Sequence, residues 1–270
     1  DDNQTPVVNA GSDQTVSLSG TAWSPGELSP DLWLDADDAS TITLNGSTVS
    51  QWSDKSGNDR HATQATTSFQ PSLNSAGMNG KNVLTFDASS DYLNVDLDFM
   101  AGVDHSVFVV TKTTGYTDIY GAANGSSAEN SLHVGFINST SYRMNYWGND
   151  WNGTISSNFQ AGSPNLLNYV WLSGTDKEIF ANGKSEGTRG SAGVIGTMSG
   201  GGRISNVVGH GYYGGDIAEF VAFTGPLSLE DRQSMEGFLA HKWGTANLLP
   251  ADHPYKSESP NNFEASANLS

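Results

Sequence analysis

Residues 202–244, which read GRISNVVGHGYYGGDIAEFVAFTGPLSLEDRQSMEGFLAHKWG, decide the fold of this chain. The centre of the stretch, residues 216–223, alternates between polar and apolar side chains and then becomes continuously apolar. That pattern is typical of a strand buried in a sheet. Gly225 and Pro226 follow at once and end the strand. The sequence therefore predicts a core strand that closes a sheet.

A short helix is predicted directly after this strand. Ser228 lies three residues before Asp231, an acidic variant of the pattern that caps a helix N-terminus. Apolar residues then recur at helical spacing, and Gly244 can end the helix. The helix is expected over about residues 228–243, with its apolar side formed by Met235, Phe238, Leu239 and Trp243.

The same stretch resembles the C-terminal end of laminin-G-like domains of the concanavalin A-like lectin/glucanase superfamily. The shared pattern is G-D-I-A-E-F-x-x-F-x-x-x-L-S-x-x-D-R-Q-x-x-E-G-F-L-A-x-K-W-G, which begins here at Gly215. Residues 51–64 resemble the loop W-x-D-x-S-G-N-x-x-x-A-T of that family. Residues 83–93 resemble its hairpin F-D-G-x-x-D-Y-L, with Ala88 in place of the usual glycine. The resemblance implies an all-β, two-sheet antiparallel jelly-roll sandwich with one short C-terminal helix, and it names no ligand.

The chain has 270 residues, which suits one sandwich domain with tails. Residues 31–256 carry the resemblance and are predicted to form the sandwich. Residues 1–30 are predicted to be a linker or an edge strand, because residues 6–16 resemble the opening strand of PKD-type modules. Residues 257–270 are polar and are predicted to be a linker tail to a flanking domain of the same large chain.

Charge and composition restrict the class of partner. The chain has 12 basic and 29 acidic residues, a net charge of −17, so its surface repels nucleic acid and anionic lipid. Such a surface suits calcium or neutral glycans. There are no cysteines, and no apolar run approaches the length that inserts into a membrane. A secreted or cell-surface bacterial module rich in turns is expected.

No catalytic motif is present, so the chain is predicted not to be an enzyme. Retaining glucanases of this fold place carboxylates along one strand as E-x-D-x-x-E, and the sequence lacks that string. The nearest pair, Asp216 and Glu219, is three residues apart, and strand alternation predicts opposite faces for the two side chains.

A structural calcium ion is predicted from the loops rich in Asp and Asn, because Ca²⁺ prefers oxygen ligands. Laminin-G-like relatives often bind calcium, which supports this expectation by resemblance. The proposed ligands are Asp54, Asn58 and Asp216. The alternative for each loop is that these side chains accept hydrogen bonds from their own backbone and stabilise turns.

Two aromatic clusters predict a glycan-binding surface. Trp147 and Trp151 are expected to stack on sugar rings, while Asn149 and Asp150 bind hydroxyl groups. The alternative is that these rings pack in the sandwich. The predicted wall of the site consists of Tyr146, His210, Tyr212 and Tyr213.

Together these observations predict a non-catalytic, lectin-like module that binds a glycan or polysaccharide and is stabilised by calcium. The parent would be a secreted or cell-surface protein, such as an adhesin or a polysaccharide-degrading enzyme. Two alternatives stay open: a protein-binding or peptide-binding module or spacer, and a diverged glycoside hydrolase or lyase.

Overall fold

The computed structural model describes residues 23–123, 131–146, 148–190, 192–198, 201–207 and 210–260. Within these residues, sixteen strands form one continuous antiparallel sheet, and there is one α-helix, α1 (Leu229–Trp243). The strands are β1 (Leu32–Asp35), β2 (Ile42–Asn45), β3 (Thr48–Trp52), β4 (Ala62–Thr63), β5 (Ser72–Met78), β6 (Lys81–Asp87), β7 (Leu93–Val95), β8 (His105–Gly115), β9 (Asp118–Ala123), β10 (Ser131–Asn138), β11 (Ser141–Tyr146), β12 (Asn165–Trp171), β13 (Asp176–Ala181), β14 (Lys184–Gly190), β15 (Gly202–Ile204) and β16 (Gly214–Thr224).

The sheet folds back on itself to make the sandwich. The front sheet has the order β11-β10-β9-β15-β7-β4-β3, and the back sheet has the order β5-β6-β16-β8-β12-β13-β14. The two are joined where Thr48 of β3 pairs with Ser72 of β5. Strand β1 pairs with β16, and β2 pairs with β3. The predicted all-β, two-sheet antiparallel sandwich is confirmed.

The core lies between the two sheets because alternate residues of each strand point inward. On β10, Leu132, Val134 and Phe136 are fully buried, while His133 between them faces outward. They meet buried residues of the back sheet, which include Val107, Val109, Leu167, Tyr169, Trp171, Phe220 and Ala222.

Helix α1 packs on the outer surface of the back sheet and adds a second, smaller core. Its N-cap residue Ser228 accepts a hydrogen bond from the backbone N–H of Asp231 at 3.1 Å. It ends at Gly244, whose φ of 76° is favourable for glycine. Both predicted caps are therefore confirmed. The helix residues Met235, Leu239 and Trp243 contact a row from the back sheet formed by Phe108, Val110, Ala218, Val221 and Phe223.

A β-bulge in β16 corrects the predicted orientation of Asp216 and Glu219. The register against β8 shifts between Ile217 and Glu219, so one extra residue is inserted there. Asp216 shares the helix side of the sheet with Thr85, which donates a hydrogen bond to it at 2.6 Å. Glu219 faces the same side and is fully buried under α1. The prediction of opposite faces was wrong because the bulge adds a residue between the two carboxylates.

Glu219 joins three parts of the fold. Its carboxylate accepts hydrogen bonds from the indole N–H of Trp33 at 2.8 Å and of Trp243 at 2.6 Å, and from Lys242 Nζ at 2.8 Å. Lys242 also contacts Asp35 Oδ1 at 2.7 Å. The carboxylate therefore connects β16 to β1 and to the end of α1.

The predicted hairpin at Asn182 and Gly183 is also observed. The two residues have φ values of 51° and 78° between the paired strands β13 and β14. Positive φ at both positions is what a type I′ turn requires, and Asn-Gly is its preferred sequence.

Both ends of the described chain pack on α1. Trp23 contacts Phe238 with ring centroids 5.5 Å apart, and Leu28 packs against the same smaller core. His253 contacts the buried Glu236 of α1 at 3.1 Å. The PKD-like strand at residues 6–16 and the tail at residues 261–270 lie outside the described residues.

Among the helices of the described residues, none has the length and apolar character needed to cross a bilayer.

Candidate functional site

A cluster of four polar side chains lies on the outer face of the front sheet. Asp118 is fully buried at its centre, and its Oδ2 lies 3.1 Å from His133 Nδ1 and 2.9 Å from His210 Nδ1. Arg143 Nη1 donates to Asp118 Oδ1 at 3.0 Å and also contacts the His210 ring. The imidazoles of His133 and His210 stack with centroids 3.9 Å apart. One carboxylate therefore orients two imidazoles and a guanidinium, and we call these four residues the Asp118 cluster.

Strand alternation places two members of the cluster on this face. His133 lies between the core residues Leu132 and Val134, and Arg143 lies between Tyr142 and Met144. A register shift brings Asp118 opposite Gly135, which lacks a side chain that would otherwise occupy the space. His210 comes from the connection between β15 and β16.

Exposure increases from the centre of the cluster to its edge. The exposed fractions of the side chains are 0% for Asp118, 7% for His133, 16% for Arg143 and 33% for His210. Burial alone would raise the pKa of Asp118, but hydrogen bonds from His133 and His210 and the charge of Arg143 hold this pKa below its ordinary value. Asp118 is therefore an ionised anchor, and Arg143 and His210 are the members that reach solvent.

The cluster also has the donor types of a metal site, because ligand atoms of Asp118, His133 and His210 lie within 4.8 Å of one another. A carboxylate and two imidazoles suit zinc or a related transition metal. Arg143 opposes this function, since its Nη1 lies 3.0 and 3.2 Å from the two carboxylate oxygens and contacts His210. The guanidinium already supplies the positive charge that a metal ion would bring.

The structure corrects two residues of the predicted wall. Tyr146 is fully buried, and its ring packs edge-on against Trp171 with centroids 5.9 Å apart. Tyr213 is also fully buried, and its hydroxyl lies 2.9 Å from Thr113 Oγ1. Both rings complete the core between the sheets, so neither is available to stack on a ligand.

The other predicted glycan-binding residues lie nearer the surface. Asp150 is exposed, and Asn149, Trp151 and Tyr212 are half-buried. Trp147 lies outside the described residues. The backbone N–H of Trp151 donates to Asn145 Oδ1 at 2.9 Å. Because Asn145 pairs with His133 across β10 and β11, this contact fixes the backbone of Trp151 to the strand pair that carries His133 and Arg143.

The three predicted calcium ligands are not brought together. Asp54 Oδ1 accepts the backbone N–H of Trp33, which pairs with Val221 of β16. Asp216 lies five residues from Val221 along that strand, or roughly 16 Å at about 3.3 Å per residue. Asn58 donates to the backbone oxygen of Asp31.

Asp54 has the role that the alternative assigned to it. Its two oxygens accept four backbone N–H or hydroxyl groups from nearby residues, at 2.7–3.0 Å. The carboxylate therefore stabilises its own turn.

Lys177 holds the segment that carries the predicted stacking residue. It is fully buried on β13, and its ammonium group lies 4.5 Å from the centroid of the Trp171 ring. Its Nζ donates to the backbone oxygen of Met144 at 2.9 Å and to that of Asn149. Burial, together with the nearby charge of Arg189, lowers the pKa of Lys177 to about 8.

A pH dependence follows from this buried lysine. The unfolded chain keeps the Lys177 proton up to a pKa of about 10.4, whereas the folded chain loses it near pH 8. Because the unfolded state then binds more protons, the contribution of Lys177 to the free energy of unfolding rises between pH 8 and about 10. Urea unfolding at pH 7.5, 9 and 10 should show that the free energy of unfolding of the wild type rises with pH relative to that of Lys177→Met. The exposed Lys184→Met is the control, and a constant difference for Lys177→Met would contradict the prediction.

Sequence reasoning found His210 but missed Asp118, His133 and Arg143. The signal for two of them was present, since polar residues alternate with apolar ones in β10 and β11. Such alternation also describes any solvated face, so it did not indicate which polar residues converge. Asp118 carried no signal of its own because its position depends on a register shift.

No family model matches the sequence, and no curated protein matches it at the sequence level. Solved structures do match in three dimensions. Domain 4 of AbnA, an extracellular GH43 arabinanase from Geobacillus stearothermophilus, solved in complex with arabinotriose, superposes with a TM-score of 0.56 at 12% identity. That match covers 74% of this chain and 94% of the domain.

Two further structures show the same architecture. The binding domain of Paraclostridial Mosquitocidal Protein 1 has a TM-score of 0.54 at 9% identity, and the match covers 77% of this chain and 52% of that one. Trypanosoma rangeli sialidase has a TM-score of 0.52 at 12% identity, with 78% of this chain and 33% of the sialidase covered. The chain thus has the β-sandwich fold that occurs in carbohydrate-active proteins. At these identities the likeness defines the fold alone.

Proposed function

We propose that this chain is a non-catalytic carbohydrate-binding module of a secreted or cell-surface protein, with its ligand on the outer face of the front sheet. The observation that carries the proposal is the Asp118 cluster. A fully buried carboxylate fixes Arg143 and His210, and the outer edges of both side chains reach solvent. Groups held in this way need no reordering when a ligand binds.

The chemistry of the cluster suits sugar hydroxyls, which both donate and accept hydrogen bonds. The guanidinium of Arg143 only donates, and a neutral imidazole has one donating and one accepting nitrogen. The Nδ1 of His210 faces Asp118, so its other ring nitrogen is left for a ligand. Adjacent donor and acceptor groups can bind neighbouring hydroxyls of one sugar ring.

Trp151 supplies an aromatic surface at the edge of the sandwich, where its backbone N–H contacts Asn145 of β11. Its ring packs at the margin of the core against the backbone of Gly153 and Gly187, and the residue stays half-buried. A sugar can stack on the part of the ring that remains accessible, while Asn149 and Asp150 bind hydroxyls. The arabinotriose in the AbnA domain supports a glycan as the ligand class.

We place this module in an adhesin or a polysaccharide-degrading enzyme, with flanking domains in the same chain. We also propose that calcium stabilises the module, but not through the ligand set Asp54, Asn58 and Asp216. It is motivated by the acidic, cysteine-free composition.

A glycan array tests the function directly. Binding of glycans by the wild type, measured with millimolar calcium and again with a chelator, supports the module and reports on calcium in one experiment. The bound polymers should be assayed for new chain ends, and none is expected. Turnover would favour the hydrolase or lyase alternative, and silence on the array together with binding to cell-surface protein would favour the protein-binding alternative.

Trp151→Ala is expected to weaken binding of an array hit about tenfold or more. The reason is that loss of a stacking contact costs at least roughly 1.4 kcal/mol at a site that excludes water. The melting temperature should fall less than in Trp171→Ala, because Trp171 is fully buried. Trp151→Phe keeps an aromatic face and is the matched control. Unchanged affinity of Trp151→Ala, measured by calorimetry, would show that this residue does not belong to the binding site.

A further inference from the structure

A row of six polar residues and one glycine crosses the whole front sheet. The pairing registers of adjacent strands connect seven positions in a line perpendicular to the strands. At about 4.8 Å per strand, the row is roughly 29 Å long. It consists of Asn145, His133, Gly121, Arg203, Asn94, Thr63 and Gln51.

The row lies on the outer face of the sheet. The neighbours of these residues along the strands, such as Leu93 and Ile204, belong to the core between the sheets. Asn94 and Thr63 are exposed, and Arg203 is half-buried. The face therefore extends well beyond the Asp118 cluster.

The described residues of the connection between β15 and β16 contact both this row and the two arginines. Its Val207 lies over Gly121, and its Asn206 accepts a hydrogen bond from Arg203 Nη1 at 2.7 Å. Further along, His210 contacts Arg143. The two arginines thus flank one short segment of chain.

Each arginine has donors left over. A guanidinium has five N–H groups, and the hydrogen bonds of Arg143 and Arg203 to described residues involve only Nη1. The Nε of Arg143 is buried and has no acceptor among the described residues, so it is not presented to solvent. Arg203 is held in place by stacking on Tyr92, 4.3 Å from the ring centroid. In Arg203, whose hydrogen bond uses only Nη1, the Nε and Nη2 edge matches the two oxygens of a carboxylate.

The local charge of this face differs from that of the whole chain. The net charge of the protein is −17. Among the described residues, Arg203 forms no ion pair, and the carboxylate of Asp118 beside Arg143 is enclosed by its three partners. An anionic ligand would be repelled by most of the surface and accepted here.

We propose that the ligand is a linear acidic polysaccharide with carboxylate groups, such as a uronate polymer, that runs across the strands and contacts Arg143 and Arg203. This inference rests on the proposed function and specifies its substrate class. Three strand spacings across the sheet and two residues along it separate the backbones of the two arginines by roughly 16 Å. A single sugar does not span that distance, so binding should require a chain of several units.

The test compares polygalacturonate with its methyl ester, which removes the carboxylate charge and keeps the polymer. The acid form is expected to bind at least tenfold more tightly, and its affinity should fall as salt is added. Arg203→Ala should weaken binding of the acid polymer about tenfold and leave binding of a monomer unchanged. The exposed Lys184→Ala, on the back sheet, is the matched control for loss of one positive charge. Arg143→Lys, which keeps the charge, tests the second arginine without leaving Asp118 unpaired.

Other results of these binding measurements would contradict part or all of the proposal. Equal binding of the acid polymer and its ester, or unchanged binding by Arg203→Ala with an intact melting temperature, overturns the acidic-polymer inference and leaves the module. Tighter binding of a sulfated polymer than of either polygalacturonate or its methyl ester overturns the assignment of the ligand group as a carboxylate. Binding of no glycan at all overturns the proposed function as well.

Discussion

Replacing Glu219 with alanine is expected to lower the free energy of unfolding by about 3–5 kcal/mol, because it removes one partner of a buried, hydrogen-bonded ion pair. Lys242 would lose its contact at 2.8 Å and keep only Asp35. The indole N–H groups of Trp33 and Trp243 would lose their acceptor in the same step. The loss is large because three connections converge on one carboxylate.

Urea unfolding followed by tryptophan fluorescence measures this loss. Glu219→Gln keeps the shape and one acceptor oxygen, so about half of the deficit is expected for it. Glu230→Ala changes an exposed glutamate in the first turn of α1 and should cost less than about 1 kcal/mol. A Glu219→Ala protein within 1 kcal/mol of the wild type would show that the carboxylate does not hold the helix to the sheet.

Asp118→Asn is expected to abolish glycan binding and to cost about 3 kcal/mol of stability, because Arg143 would stay largely buried without its counter-ion. His133 and His210 would lose the carboxylate that orients their Nδ1 atoms. The substitution keeps the size of the side chain, so the effect reports on the charge. Binding should fall more than in Trp151→Ala, since every polar group of the cluster is released at once.

The pH dependence of the Asp118→Asn deficit provides a second measure. The pKa of Asp118 is lowered in the folded state, so its contribution is complete above the unfolded pKa of about 3.9 and is lost as the pH falls below that value. The deficit should therefore be constant from pH 5 to 7 and shrink at pH 3. Asp252→Asn, at an exposed position, is the control. A deficit that grows as the pH falls would contradict the assignment of Asp118 as the ionised anchor.

The fold was predictable because its signals are local. The alternation in β16, the cap at Ser228, the stop at Gly244 and the Asn-Gly turn each depend on a few neighbouring residues. These local preferences agree with one another, and their order along the chain leaves few ways to close a sandwich.

The candidate site was predictable only in part because it depends on register. Asp118, His133, Arg143 and His210 come from three strands and a connection, and no spacing in the sequence brings them together. Two bulges mattered most. One places Asp118 opposite Gly135, and the other turns Glu219 to the side of Asp216.

Burial explains the errors among the aromatic residues. Tyr146 and Tyr213 stand among glycine and polar residues in the sequence, which favoured an exposed position. In the fold Tyr146 is the last residue of β11 and Tyr213 directly precedes β16, and there their rings enter the core and their hydroxyl groups have hydrogen-bonding partners. A tyrosine can satisfy both environments, so its neighbours in the sequence do not determine its exposure.

The packing of both chain ends on α1 has a practical consequence for surface measurements. Trp23 contacts Phe238, and His253 contacts Glu236, so both ends of the described fold lie in the helix layer behind the back sheet. The Asp118 cluster lies on the outer side of the front sheet, with the full thickness of the sandwich between them. A sensor chip or bead coupled to the protein next to Trp23 or His253 would hold the helix layer toward the support. The same orientation would turn the face with Arg143 toward the solution, so immobilised molecules should keep the binding capacity that they have when free.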